Sequence, residues 1–193
     1  MSHGLTSTDY MFSVGELPWH GLGAVLAASP ANTAEATTSA RAGWCVEETP
    51  LAFADRQWAT VREDTGDLLG VVEARHPIVQ NGEAFSALDE LLGGAARFET
   101  AGTFCGGRRI WAQARPPARG RGTTPEPYVL LTNAHDGSGV LEVARTPIRV
   151  VCIGTLVEAL RCAHRRQPLL AADGEFRPLD VLRPALSLGE EGA

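Results

Sequence analysis

Two short stretches hold the side chains best equipped for chemistry. The first is Ala134-His135-Asp136-Gly137-Ser138, where an imidazole stands beside a carboxylate and close to a hydroxyl. A His next to an Asp has the makings of a general base, with Ser138 or the later Cys152 as its nucleophile, and the product would be a hydrolase-type enzyme. Asn, Asp, Gly and Ser are equally the ordinary turn formers, so the run also reads as a plain hairpin turn. The second stretch is Gly106-Gly107-Arg108-Arg109. Glycine lets a backbone come close to a ligand, and adjacent arginines on a strand point to opposite faces. A guanidinium placed there suits a phosphate, and the alternative is a hairpin with solvated charges. Trp111 beside it either stacks on a base or fills a core.

Other chemistry is weaker. Cys162 and His164 are two apart on a predicted helix and face apart, which makes a poor chelate for zinc. The run from Gly102 to Arg108 lacks the Lys-Ser/Thr ending of a P-loop. No metal and no cofactor is expected.

The elements that must hold these residues follow from pattern. A short helix is predicted at 33–42, started by Pro30 and Asn32 and stopped by Gly43. Strands follow at 44–49, 58–62 and 68–73, the last two joined by the turn Glu63-Asp64-Thr65-Gly66-Asp67. Asn81 caps a helix over 82–92, with Phe85, Leu88, Leu91 and Leu92 on one face and Gly93-Gly94 beyond. The second half repeats the layout: strands at 97–104 and 108–114 over Cys105-Gly106-Gly107, strands at 128–133 and 140–145, a short strand at 148–152, and a helix at 155–166. Strands then helix, twice, with hairpin connections, describes an α+β domain with a mostly antiparallel, twisted sheet and helices packed on one side. Residues 1–30 read as an N-terminal arm pinned by Phe12 and Trp19, residues 31–166 as the single α+β domain, and 167–193 as a loosely ordered tail with weak periodicity.

Bulk properties set the partner class. The chain has 193 residues, 44% of them hydrophobic, with no apolar run approaching the roughly 20 residues of a membrane span. Its start lacks the features of a signal peptide, so a cytoplasmic protein is expected, with the four scattered cysteines reduced. All 17 basic residues are arginine, planar forks suited to phosphate and carboxylate. The net charge of −6 is unevenly spread: residues 1–96 hold four arginines against thirteen acids, and residues 97–166 hold eleven against five. A basic segment in an acidic protein points to a polyanionic partner, or to two halves that attract one another.

Several blocks in fixed order resemble a family of phage- and plasmid-borne proteins, the phage/plasmid-like proteins that carry domain of unknown function 932. They are MFSVGELPWHGLG at 11–23, VREDTG and LGVV within 61–72, PIVQNGEAF at 77–85, FETAG and GGRRIW within 98–111, PYVLLTNAHDGS at 127–138, and TPIRVVC and TL within 146–156. Gly154 stands where family members usually have Asn, and after about Arg166 the sequence departs from their long, charged, helical continuation. The family's biochemistry is unassigned, so the resemblance implies a mobile-element setting and no particular activity.

The leading expectation is therefore a mobile-element accessory protein, not an enzyme, that contacts DNA or RNA. The contacts would come from Arg97, Arg108, Arg109, Arg119, Arg121, Arg145 and Arg149, with Trp111 stacking. The alternatives are the hydrolase built on His135, Asp136 and Cys152, and a host-interaction or anti-defence protein that works through its acidic first half. Self-association is left open, and no membrane is involved.

Overall fold

The computed structural model describes Leu5 and residues 9–52, 56–74, 76–116 and 127–188. Its centre is the pair of hairpins read from the sequence. β6 (Arg97–Phe104) pairs antiparallel with β7 (Arg109–Arg115), β7 with β8 (Tyr128–Ala134), and β8 with β9 (Glu142–Thr146). Alternation on β7 sends Ile110, Ala112 and Ala114 to one face and Trp111 and Gln113 to the other, and all five are buried. A strand buried on both faces loses the polar–apolar alternation that marks a half-exposed one.

Both flanks of this sheet come from segments with weak local signals. β1 (Met11–Val14) pairs antiparallel with β6, and β2 (Ala24–Leu26) adds to β1 in parallel. At the other edge β10 (Arg165–Pro168) pairs antiparallel with β9. The order is β10-β9-β8-β7-β6-β1-β2. The expected arm thus belongs to the sheet: Gly102 sits so close under β1 that an added Cβ would collide with the Tyr10 carbonyl and stand 2.6 Å from Trp111 Cη2.

Helices cover both faces. α1 (Thr33–Ser39), α2 (Asn81–Leu91) and α4 (Leu179–Ala185) lie on one, where Ala36, Phe85, Leu88, Leu91, Leu182 and Leu186 meet Phe12, Phe98, Ile110, Val129 and Leu131. The α+β class with a mostly antiparallel sheet is as expected, but the helices are not all on one side. α3 (Ile153–Arg161) lies on the opposite face, where Leu156 and Ala159 cover Met11, Phe104, Trp111 and Leu130. These large apolar side chains would otherwise meet water, at roughly 25 cal/mol per Å². The helix ends at Arg161, short of the expected 166, because the chain turns there into β10. Residues 148–152 form no strand and instead lead into α3, with Cys152 as its N-cap.

The stretch 167–188, expected to be loose, is packed. Leu169, Leu182, Leu186 and Leu188 are buried in the larger core. Of its Pro and Gly breaks, Gly174 lies in a turn between β10 and α4, Pro178 caps α4, and Pro168 and Pro184 lie within β10 and α4, while the leucines find partners across the fold.

The strands β3 (Val46–Pro50), β4 (Gln57–Arg62) and β5 (Leu68–Glu73) form a separate antiparallel sheet. It docks against the end of the large sheet where β6 turns into β7 and where β8 leaves. The Thr60 hydroxyl donates to the His135 carbonyl at 2.6 Å, and Gly70 has no room for a Cβ because the Asp136 backbone lies against it. α2 holds the other side. The Gln80 side chain accepts from the Val46 N–H at 2.8 Å and donates to the Val46 carbonyl at 3.0 Å, pairing the edge of β3 as a strand would. Gln80, one residue earlier than expected, is the N-cap of α2, which leaves the Asn81 side chain free for the interior.

Candidate functional site

The β6–β7 turn is where sequence and structure agree best. Cys105, Gly106 and Gly107 all have positive φ, at 57°, 71° and 94°. Glycine tolerates that region at no steric cost, and a Cβ at Gly107 would stand 2.8 Å from Trp44 Cζ2. The turn closes on itself through Gly107 N–H to the Phe104 carbonyl at 3.2 Å. Its first two N–H groups point away from the sheet and grip one carboxylate: Cys105 donates to Asp9 Oδ2 at 3.1 Å and Gly106 to Asp9 Oδ1 at 2.7 Å. Successive N–H groups in this arrangement form an anion-binding concavity. Arg108 is exposed directly after it.

Arg109 begins β7 and turns to the α3 side of the sheet. Its Nη2 donates to Ser138 Oγ at 3.1 Å, within a cleft of about 240 Å³ lined by Thr132, Ser138, Glu142, Leu160 and Arg166. Arg166 holds Glu142 with two guanidinium nitrogens, at 2.8 and 3.1 Å, so much of the positive charge here is matched. Asp136 Oδ1 accepts the Ser138 N–H at 2.9 Å, an Asx turn that sets the loop's shape.

At the far end of the same hairpin Arg97 lies directly across from Arg115. Arg115 donates to the Tyr128 hydroxyl at 2.7 Å, stacks 4.2 Å over that ring, and approaches Glu99 at 3.4 Å. Arg97 is exposed. Arg119 and Arg121 lie outside the described residues, in the connection from Arg115 to β8.

Arg149 and Arg145 are placed otherwise than the expectation required. Arg149 is threaded into the fold: it donates to the Val14 carbonyl at 2.6 Å and to Ser13 Oγ at 3.1 Å, and pairs with Glu99 and Glu16 at 3.7 Å each. Its buried Nε has no acceptor. Arg145 points to the opposite face, where its Nη1 donates to the Ser187 carbonyl at 3.1 Å and caps the end of α4. Single-face convergence of all the expected arginines therefore does not occur. Trp111 cannot stack on a base. It is fully buried, lies flat on Phe104 with centroids 4.1 Å apart, and is sealed under α3, because its face of β7 carries a second core.

The hydrolase constellation is also dispersed. His135 is buried, its Nε2 bonds Asn81 Oδ1 at 2.8 Å, and its ring meets Trp44 edge-on at 5.6 Å. Burial pushes its pKa down to about 4, only partly opposed by the charge of Asp136, so the ring is neutral at pH 7. Cys152 is buried at the start of α3, where its Sγ accepts the Thr155 N–H at 3.4 Å as a helix cap. His135 thus ties α2 and the small sheet to β8. Cys162, on the last turn of α3, donates its thiol to Glu158 at 3.1 Å, a bond that pushes its pKa up and disfavours the thiolate a metal would need. Among the described residues no three His, Cys, Asp or Glu side chains gather as a metal site.

Three partners in these sites were missed by pattern reading. Asp9 carries no local signal, because what it binds is 96 residues away in sequence. Glu99 sits on a bulge of β6 and divides its charge between Arg115 and Arg149. Arg166 was assigned to a helix end, whereas it lies on β10 facing Glu142.

The family model for Domain of unknown function (DUF932) matches residues 68–167, more than half of the chain. The chain belongs to this family. No curated protein and no solved structure matches it. The DUF932 segment runs from the start of β5 into β10 and includes both hairpins, α2 and α3, hence the β6–β7 turn, His135 and the Arg109 cleft. Asp9, β1 and α4 lie outside it.

Proposed function

We propose that this protein is a nucleic-acid-associated accessory protein of a phage or plasmid, and that it holds the phosphate backbone with arginines at the two ends of the β6–β7 hairpin. The contact set is Arg97 and Arg115 at one end and Arg108 and Arg109 at the other. Arg119 and Arg121, also expected contacts, lie outside the described residues and are not counted in it. Arg145, Arg149 and Trp111 are structural and drop out. The observation that carries this reading is the cross-strand meeting of the exposed Arg97 with the half-buried Arg115. Like charges directly opposite one another cost stability; Glu99, 3.4 Å from Arg115, offsets part of that cost, and a phosphate at Arg97 would offset the rest. The seven residue steps along β6 span about 23 Å, the axial length of about seven nucleotides on one strand. The mobile-element setting rests on the ordered blocks shared with the phage/plasmid-like proteins. Nucleic acid of that kind is met in the cytoplasm.

The test is fluorescence anisotropy of labelled single- and double-stranded oligonucleotides across a salt series. Four phosphate contacts predict a slope of log affinity against log salt of about −3.6 on duplex and −2.8 on single strands. Absence of binding at about 50 mM salt ends the proposal.

A further inference from the structure

We propose that the Cys105-Gly106-Gly107 turn is a binding site for a phosphate-type oxyanion, and that the Asp9 carboxylate occupies it as an internal stand-in. The turn is built independently of its occupant. Gly107 N–H to the Phe104 carbonyl and Arg108 N–H to the Cys105 carbonyl close it at 3.2 and 3.5 Å, leaving the Cys105 and Gly106 N–H groups unused by the turn itself. Both are spent on one carboxylate, one nitrogen per oxygen, at 3.1 and 2.7 Å. Two oxygens on one centre, gripped by adjacent amides, is the geometry that a phosphate also presents.

The surroundings favour an anion more strongly than a tether requires. Arg108 follows the turn and is exposed. Arg41, also exposed, lies 4.0 Å over the ring of Tyr10, the residue after Asp9. Arg62 runs beside Gly107, where an added Cβ would stand 3.4 Å from its Cδ, and it is shared with Asp64 through two bonds of 2.7 and 3.0 Å. Arg108 in the turn, Arg62 on β4 and Arg41 just after α1 thus neighbour the turn or the residue next to Asp9, and the pair of amides takes its ligand from a distant part of the chain. When that N-terminal residue withdraws, the same amides face solvent, with the exposed Arg108 following them in the chain. Asp9 then acts as a competitor tethered at high local concentration, and the apparent affinity for phosphate is reduced by the fraction of time the turn is open.

The experiment follows the Cys105 and Gly106 amide resonances of the full chain by nitrogen–proton NMR. Inorganic phosphate and a single-stranded thymidine oligonucleotide are added in separate arms to the wild type, Asp9→Ala and Asp9→Asn. Saturable shifts of these two amides are expected in the variants, at roughly tenfold lower phosphate than in the wild type if the turn is open about a tenth of the time. Adding Arg108→Ala to Asp9→Ala is expected to weaken the response. Shifts with phosphate alone assign the site to free phosphate, and shifts with the oligonucleotide assign it to a nucleic-acid backbone. Either result supports the site, and the phosphate arm stands even if the wild type binds no nucleic acid. Amides that ignore both probes in both variants overturn it, as does an equal response in wild type and variants. Collapse of the β6–β7 amide pattern in both variants before any anion is added also overturns it, since the turn would then not exist without its carboxylate.

Discussion

Replacing His135 with Gln isolates what the buried imidazole does. In the folded protein burial holds its pKa near 4, against 6.5 for an unhindered His. Between those values the unfolded chain takes up a proton that the folded chain refuses, so stability falls as the pH falls from about 6.5 toward 4. With those two pKa values the loss between pH 7 and pH 5 is about 2 kcal/mol, approaching about 3 kcal/mol near pH 4. Gln keeps an N–H donor for Asn81 Oδ1 but cannot titrate, so the His135→Gln chain should lose about 2 kcal/mol less over that range than the wild type does. Urea unfolding at pH 7, 6 and 5, followed by tryptophan fluorescence, measures both profiles, and the carboxylates common to the two chains cancel in the difference. Parallel profiles, within about 0.5 kcal/mol, would refute the reasoning, because His135 would then be open to protons in the folded state.

Other perturbations separate structural arginines and aromatics from surface ones. Trp111→Ala should cost about 3–5 kcal/mol in urea unfolding, as for any large core side chain, where a surface stacking residue would cost under about 0.5. Arg149→Met leaves the Val14 carbonyl without its donor and should destabilise by about 1–3 kcal/mol while leaving nucleic-acid affinity within about twofold. Leu186→Ala should cost about 2–5 kcal/mol, against the near-zero effect expected of a loose tail; thermal melting distinguishes the two.

The parts of the fold legible in the sequence are those whose signals are local. β6 to β9 were readable because Gly-rich or Asn-Ala-His-Asp-Gly turns bracket β-type runs, and α2 because Phe85, Leu88, Leu91 and Leu92 repeat at helical spacing. β1 and β2 were not, since their pairing partner is β6, far along the chain, and Gly15, Gly21 and Gly23 interrupt any alternation. β10 and α4 were hidden for a similar reason: Leu169, Leu182 and Leu186 have partners only once the sheet exists. The same distinction governs the site. Gly106-Gly107-Arg108 announces a close-approach turn, but nothing in the sequence says that Asp9 fills it. Charge counting found the basic segment, yet it could not show that Glu99 and Glu16 enclose Arg149, or that Arg145 leaves by the other face. Trp111 misled because a strand covered on both faces places its aromatics inside whichever way they point.

The central claim is that exposed arginines at both ends of one hairpin grip phosphates. Its most direct test compares the salt slope of oligonucleotide binding for the wild type, the Arg97→Ala/Arg108→Ala double variant and Arg145→Ala. Each lost phosphate contact flattens the slope by about 0.9 on duplex, so the double variant should lose about 1.8 while Arg145→Ala keeps the wild-type slope. An unchanged slope in the double variant, or an equal loss in Arg145→Ala, would contradict the account.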